Sequence, residues 1–196
     1  APLGESRDAS KASTGASALK LMLRRPHGRQ FQQPETVARR FEDFKMAMAD
    51  DGTIRVAWLD GRERIHFARV NPRHGLMGER VISPPGVNGY SVAVNTRGAA
   101  VVGWSRGPLA EQSVSVVTKL PQRPFASPMV LSTDGEVPLV ALNRVGVSVA
   151  AWEAGADKEG PIQVATLDHE GSLLSKDPIS GSRRSNDGFD MAINDA

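Results

Sequence analysis

Gly103-Trp-Ser-Arg-Gly107 fits the Gly-x-Ser-x-Gly spacing that presents a nucleophilic serine in hydrolases. That chemistry needs a strand-to-helix turn in an α/β sheet, with a histidine and an acid later in the chain. Among the histidines His27, His66, His74 and His169, no pair has metal-ligand spacing. Three of them precede Gly28, Gly75 and Gly171 and read as polar turn residues. Asp157-Lys-Glu-Gly160 and Asn186-Asp-Gly188 offer oxygens to a calcium ion, but neither has the ligand spacing of an EF-hand loop. The chain has no cysteine, which removes disulfides, thiol nucleophiles and Cys-ligated zinc. No metal and no cofactor are therefore expected. The arginine clusters Arg39-Arg40, Arg62/Arg64 and Arg183-Arg184 remain, and guanidinium forks suit a carboxylated or sulfated ligand.

These groups sit in an ordinary globular composition. The 196 residues are 40% apolar and 23% charged, too apolar for wholesale disorder. Lys and Arg number 24 against 22 acids, so the formal charge of +2 does not describe a nucleic-acid binder. No apolar run approaches the roughly 18 residues of a membrane span.

What positions the groups is a repeat. Trp58, Trp104 and Trp152 each end a phrase of one shape, beginning at Met46, Val92 and Val140. Gly52, Gly98 or Gly146 stands six residues before each tryptophan, and Ala47, Ala93 or Ala141 five before each glycine. A fourth copy opens at Met191 as MAINDA, with Ala192 as its alanine. Between tryptophans lie an alternating segment and an apolar residue seven before a serine: Leu76 to Ser83, Phe125 to Ser132, Leu173 to Ser180. The same two pieces precede the first phrase, from Leu19 and as Phe31 to Ala38.

Alternation at spacing two predicts strands, and the glycines predict hairpin turns that need positive φ. In the first full repeat the strands are expected at 45–50, 54–59, 64–70 and 79–83. Four short antiparallel strands per repeat is the blade pattern of a β-propeller. The expected fold class is all-β, with about three complete blades and partial blades at both ends. The divisions are 18–43, 44–89, 90–137, 138–188 and 189–196, after an arm over 1–17. A two-layer sandwich is the alternative. Strand counting leaves one blade without its second strand, so the ring is expected to be completed by a continuation past Ala196 or by another chain. The tryptophans, flanked by Ala57, Gly103 and Ala151, read as packing between blades in preference to carbohydrate platforms. Ser105 holds the repeat position of Leu59 and Glu153, which argues against a nucleophile. Function is expected in the variable connections 39–43, 59–64, 84–89, 105–113, 133–137, 153–161 and 181–188. Together they hold eight basic residues against eleven acids, which disfavours nucleic acid.

The phrase Val92 to Trp104, followed by Phe125 to Ser132, resembles the repeats of bacterial secreted sialidase-like (BNR-type) β-propellers. The resemblance covers residues 18–196. It implies an exported or cell-surface protein, and a fold more than an activity. The family's Asp-box, Ser-x-Asp-x-Gly-x-Thr-Trp, is absent; Asp50-Asp51-Gly52-Thr53 comes nearest, with Trp58 six residues past the glycine instead of three. The family's catalytic set is an arginine triad, a tyrosine nucleophile activated by a glutamate, and an aspartate. The only tyrosine, Tyr90, occupies the repeat position of Phe44, Pro138 and Phe189, and no Phe-Arg-Ile-Pro segment supplies the first arginine. The expectation is a non-catalytic, exported module that binds a protein or glycan or helps build a surface assembly, itself an oligomer if a neighbour completes the ring. The alternative is a fragment of a sialidase-like glycoside hydrolase whose active residues lie outside this chain.

Overall fold

The structure is a computed structural model that describes residues 18–22, 30–48, 52–71, 74–108, 111–155, 160–181 and 189–195. The expected arm over 1–17 lies outside them. Among the described residues there is no helix, so none is long and apolar enough to cross a membrane. The described residues form fourteen strands in four antiparallel sheets. Sheet I pairs β1 (Leu19–Leu21) with β2 (Glu35–Ala38). Sheet II orders β3 (Phe44–Met48), β4 (Ile54–Leu59), β5 (Ile65–Asn71) and β6 (Gly75–Val81). Sheet III repeats that order with β7 (Val87–Val94), β8 (Ala100–Arg106), β9 (Ser113–Lys119) and β10 (Met129–Ser132). Sheet IV does so with β11 (Leu139–Leu142), β12 (Ser148–Glu153), β13 (Ile162–Leu167) and β14 (Leu173–Pro178). Every neighbour in a sheet is a neighbour in sequence, so each sheet is a meander of hairpins.

The sheets stack in chain order through three cores. Leu19 and Val37 of sheet I meet Val56, Trp58 and Val70 of sheet II. Ala57, Leu59 and Phe67 on the other face of sheet II meet Tyr90, Val102 and Trp104 of sheet III. Val101, Val114 and Leu131 of sheet III meet Trp152, Ala165 and Leu167 of sheet IV. Each tryptophan thus faces the preceding sheet, and in sheets II and III the residue before it, Ala57 or Gly103, faces the following one. The second strands are covered on both faces, which is why β4 and β8 read as nearly unbroken apolar runs. More than two layers are present, so the two-layer sandwich is not the arrangement.

Two sequence expectations need correction. The fourth strand of sheet II runs over Gly75–Val81, not 79–83, because its pairing with β5 already begins at Asn71 opposite Gly75. Residues 189–195, expected as a first strand, form no ladder. A strand exists only against a neighbour, and the second strand that would pair with them is not among the described residues.

Three of the turns share one chemistry. Asn95 Oδ1 accepts from the backbone N–H of Arg97 and of Ala99, both at 3.0 Å. Asn143 Oδ1 accepts from Gly146 and Val147, and Asp168 Oδ1 from Glu170 and Ser172. Those bonds hold the Asp168 carboxyl below its usual range. Three residues after each of these side chains comes a residue of positive φ: Gly98 at 82°, Gly146 at 101°, Gly171 at 88°. At Gly98, Gly146 and Gly171 the glycine is the left-handed residue of a turn capped by an Asx side chain. Strand four ends with a second repeated device. Ser83 Oγ accepts from Ile65 N at 2.8 Å, and Ser180 Oγ from Ile162 N at 2.9 Å.

Candidate functional site

The first-to-second-strand turns gather at one end. There, Met48, Val94, Leu142 and Ile193, which hold one repeat position in four successive copies, line a single pocket of 240 Å³. The turns around it are tied together. Asn95 Nδ2 donates to the carbonyl of Asn143 at 2.9 Å, and Arg144 N to Asp195 Oδ1 at 2.6 Å.

The opposite end carries a cleft of 460 Å³ between sheets II and III. Glu63 comes from the β4–β5 turn, Pro85 and Gly86 from the connection into β7 and Asn88 from the start of β7, Arg106 and Ser113 from the facing ends of β8 and β9, and Gly107 and Glu111 from the connection between those two strands. These are three of the seven connections in which the sequence places function. Arg106 Nε donates to Pro85 O at 2.8 Å and Asn88 Nδ2 to Gly107 O at 2.6 Å, which lace the two longer walls together. Among the described residues the Glu63 and Glu111 carboxylates and the Arg106 Nη groups have no protein partner. The cleft therefore offers two acceptor pairs and a donor fork to an incoming polar molecule.

Glu63 is set by the turn beneath it. Asp60 Oδ1 accepts from Arg62 N at 2.9 Å and from Arg64 N at 3.0 Å, the same Asx cap as at Asn95. Here the left-handed position three residues on holds Glu63, at φ 56°, instead of glycine. A side chain in that region is strained, and such strain gathers at functional sites. Asp60 Oδ2 accepts from Arg64 Nε at 2.9 Å and Nη2 at 2.7 Å, and meets His66 Nε2 at 3.0 Å. His66 Nδ1 meets Glu79 Oε1 at 2.9 Å, and its ring stacks on Trp58 at 5.2 Å. Burial opposes ionisation of Asp60, but the bonds from Arg64 and His66 outweigh it and hold the carboxyl far below its usual range.

The sequence-predicted residues meet different fates. Arg64 lies on Asp60, so its fork is spent inside the protein. Arg62, Arg39 and Arg40 are exposed. Arg183 and Arg184 lie outside the described residues, as do Asp157 and the 186–188 segment. Trp58, Trp104 and Trp152 are buried in separate cores, with no face open to a sugar. Gly52, like Gly98 and Gly146, has positive φ. Tyr90 is buried, and its hydroxyl donates to the Ala57 carbonyl at 3.1 Å. Burial and the nearby Asp43 push its phenol up, the opposite of an activated nucleophile. No group of three or more acids and histidines among the described residues is placed to hold a metal ion.

Ser105 is fully buried mid-sheet, and its Oγ finds no hydrogen-bond partner. It stands opposite Val114, on the face that meets sheet IV. Removing an unsatisfied hydroxyl relieves its desolvation cost, so Ser105→Ala should raise stability by about 1 kcal/mol. Chemical denaturation would show this as a higher midpoint at unchanged slope. A lower midpoint would mean that the hydroxyl is bonded after all.

What sequence reasoning missed is the Asp60–Arg64–His66–Glu79 network and the Asx caps. The signal for the caps was present, as Asn or Asp three residues before the turn glycine. No known family model matches the chain, and no curated protein sequence is similar to it.

Proposed function

We propose that this chain is a non-catalytic, exported β-propeller module of sialidase-like repeat type, and that it binds a hydroxyl-rich ligand, a glycan, in the cleft between sheets II and III. The propeller reading draws its support from the pocket where Met48, Val94, Leu142 and Ile193 converge, since equivalent side chains from four copies meet only around a common axis. Spin labels placed pairwise at these positions should give four short distances of similar length and two longer diagonals. A steady increase along a line would refute the ring.

The single observation that carries the binding reading is the cleft itself, where three connections bring unspent carboxylates and a guanidinium edge together. Carboxylates accept from paired sugar hydroxyls, and guanidinium and amide groups donate to ring and glycosidic oxygens. Titrating the chain with neutral and sialylated oligosaccharides should shift amide resonances of Asn88, Gly107 and Ser113. Arg106→Ala and Glu111→Gln should each weaken binding about tenfold. Glu63→Gly separates fold from function: it should stabilise the turn by about 1 kcal/mol while weakening the same ligand. The hydrolase alternative requires release of sugar from a fluorogenic sialoside, and such turnover would replace the binding reading.

A further inference from the structure

Four cations gather where sheets II and III meet, away from the cleft. Arg55 on β4 alternates with Ala57 and Leu59, whose face meets sheet III, and it is only 8% exposed. Arg69 on β5 stands directly opposite Arg55, and Arg80 on β6 directly opposite Phe67, so both share that face. Sheet III supplies the fourth. Lys119 ends β9, two residues beyond Val117 of the same core and opposite Ala100.

Contacts between the sheets hold the four as one group. A Cβ placed on Gly98, two residues before Ala100, would stand 3.5 Å from Arg55 Nη2. Phe125, bridged to Lys119, sets its ring edge-on to Phe67 at 4.9 Å. Lys119 is thereby held near Arg55 on one side and near the Phe67 surroundings, which include Arg69 and Arg80, on the other. Burial, with Arg55, Arg69 and Arg80 close by, pushes the Lys119 ammonium below its ordinary value. Its Nζ donates to the Leu120 carbonyl at 3.1 Å, which leaves two donors. Among the described residues no acid pairs with Lys119, Arg69 or Arg80.

Like charges directly opposite on neighbouring strands destabilise a sheet, and partial burial deepens that cost because water screens less. An anion removes it. Arg69 and Arg80 are exposed while Arg55 and Lys119 lie deeper, so the group is open to solvent on one side. We propose that Arg55, Arg69, Arg80 and Lys119 bind a tetrahedral oxyanion, a phosphate or sulfate group. Donors converge here from three strands of one sheet and one of the next, which suits oxygens pointing in several directions. A planar carboxylate would be matched by a single guanidinium fork. The cleft lies at the other end of β4 and β5, beyond Leu59 and Ile65, so the oxyanion site stands whether or not the cleft takes a glycan.

The test is thermal unfolding of the full chain in inorganic phosphate, inorganic sulfate and chloride at matched ionic strength, because any salt screens repulsion. A saturable rise in midpoint is expected, about 4 °C at about 20 mM phosphate for a dissociation constant of about 1 mM. Amide resonances of Gly98, Lys119 and Phe125 should move over the same concentrations. Arg69→Gln and Lys119→Gln should each bind phosphate at least about tenfold more weakly. In chloride alone both should melt no lower than the wild type, because a like charge has been removed. Arg39→Gln, an exposed arginine between β2 and β3, should keep the full phosphate response. Phenyl phosphate separates the sources. Binding as tight as that of inorganic phosphate supports a group carried on a larger molecule, and its exclusion supports the free ion. Equal midpoint shifts in chloride and phosphate overturn the proposal, since screening alone then accounts for them. A phosphate response unchanged in both variants overturns it too, as does a lower midpoint of Arg69→Gln in every buffer, which would make that guanidinium a part of the fold.

Discussion

Gly103→Val is expected to cost about 3 kcal/mol or more, a large part of the 5–15 kcal/mol that holds a domain together. The usual rule points the other way. A glycine within a strand lacks a side chain to pack and loses backbone entropy, so a β-branched residue there normally stabilises. Gly103 lies in β8, where the first strand of sheet IV passes directly over it. Its Cβ would press on Val140 Cγ1 at 2.7 Å and on Pro138 Cγ at 2.9 Å. Pro138 cannot swing aside, because its ring is rigid and buried. Thermal or urea unfolding should show a sharp drop for Gly103→Val and a smaller one, about 2 kcal/mol, for Gly103→Ala. Gly61→Ala is the control: nothing lies within 4 Å of its Cβ position, and stability should move by less than about 0.5 kcal/mol. Val140→Ala should recover part of the loss in Gly103→Ala, because the two side chains then share the space. If Gly103→Ala stabilises, sheets III and IV do not approach as closely as described.

The same contact explains what the sequence could reveal. The Trp and the turn glycine each do one geometric task in sheets II, III and IV, and the small residue before the Trp does its own in sheets II and III, so each recurs at a fixed offset. The tryptophan faces back, the small residue lies under the next sheet, and the glycine takes the left-handed turn position. A task repeated three times is visible in one sequence. Loop chemistry is not repeated, and the cleft could be placed only as far as the connections 59–64, 84–89 and 105–113. Which side chains within them converge depends on the meeting of sheets II and III, a contact distant in sequence. Asp60 illustrates the limit. As a polar residue beside Gly61 it looks like any turn acid, and nothing local announces that His66 and Arg64 fold back onto it. The fourth strands were hard to bound for another reason. β6 and β14 lie at the outer edge, largely exposed, so their sequences lack the alternation by which strands are read. Residues 189–195 show the converse: the apolar pattern of a first strand is intact, but pattern alone makes no ladder.

Asp60→Asn should abolish an acid-dependent part of the chain's stability while leaving the β4–β5 turn formed. Asn95 and Asn143 cap the same turn elsewhere, so an amide oxygen at position 60 can still accept from Arg62 N and Arg64 N. The lost part is the charge on Oδ2, which faces Arg64 and His66. In the folded protein this carboxyl ionises far below the 3.8 of an ordinary aspartate. The unfolded chain therefore binds the proton first as pH falls, and stability must fall with it. The contribution is complete above about pH 4 and drains away below it, towards the folded-state value. In urea titrations from pH 7 to pH 2, the wild type should lose stability steeply at the acid end. Asp60→Asn should start about 1–2 kcal/mol lower at neutral pH and run flatter at acid pH, so that the two curves converge. Asp60→Ala also removes the cap and should lie about 1 kcal/mol below Asp60→Asn at every pH. The cleft responds in step, because Glu63 rides on this turn: ligand affinity should fall further in Asp60→Ala than in Asp60→Asn. Parallel acid limbs in wild type and Asp60→Asn would show that other carboxylates carry the acid response. In that case the Asp60–Arg64–His66 network contributes shape to the turn and no ionic stabilisation.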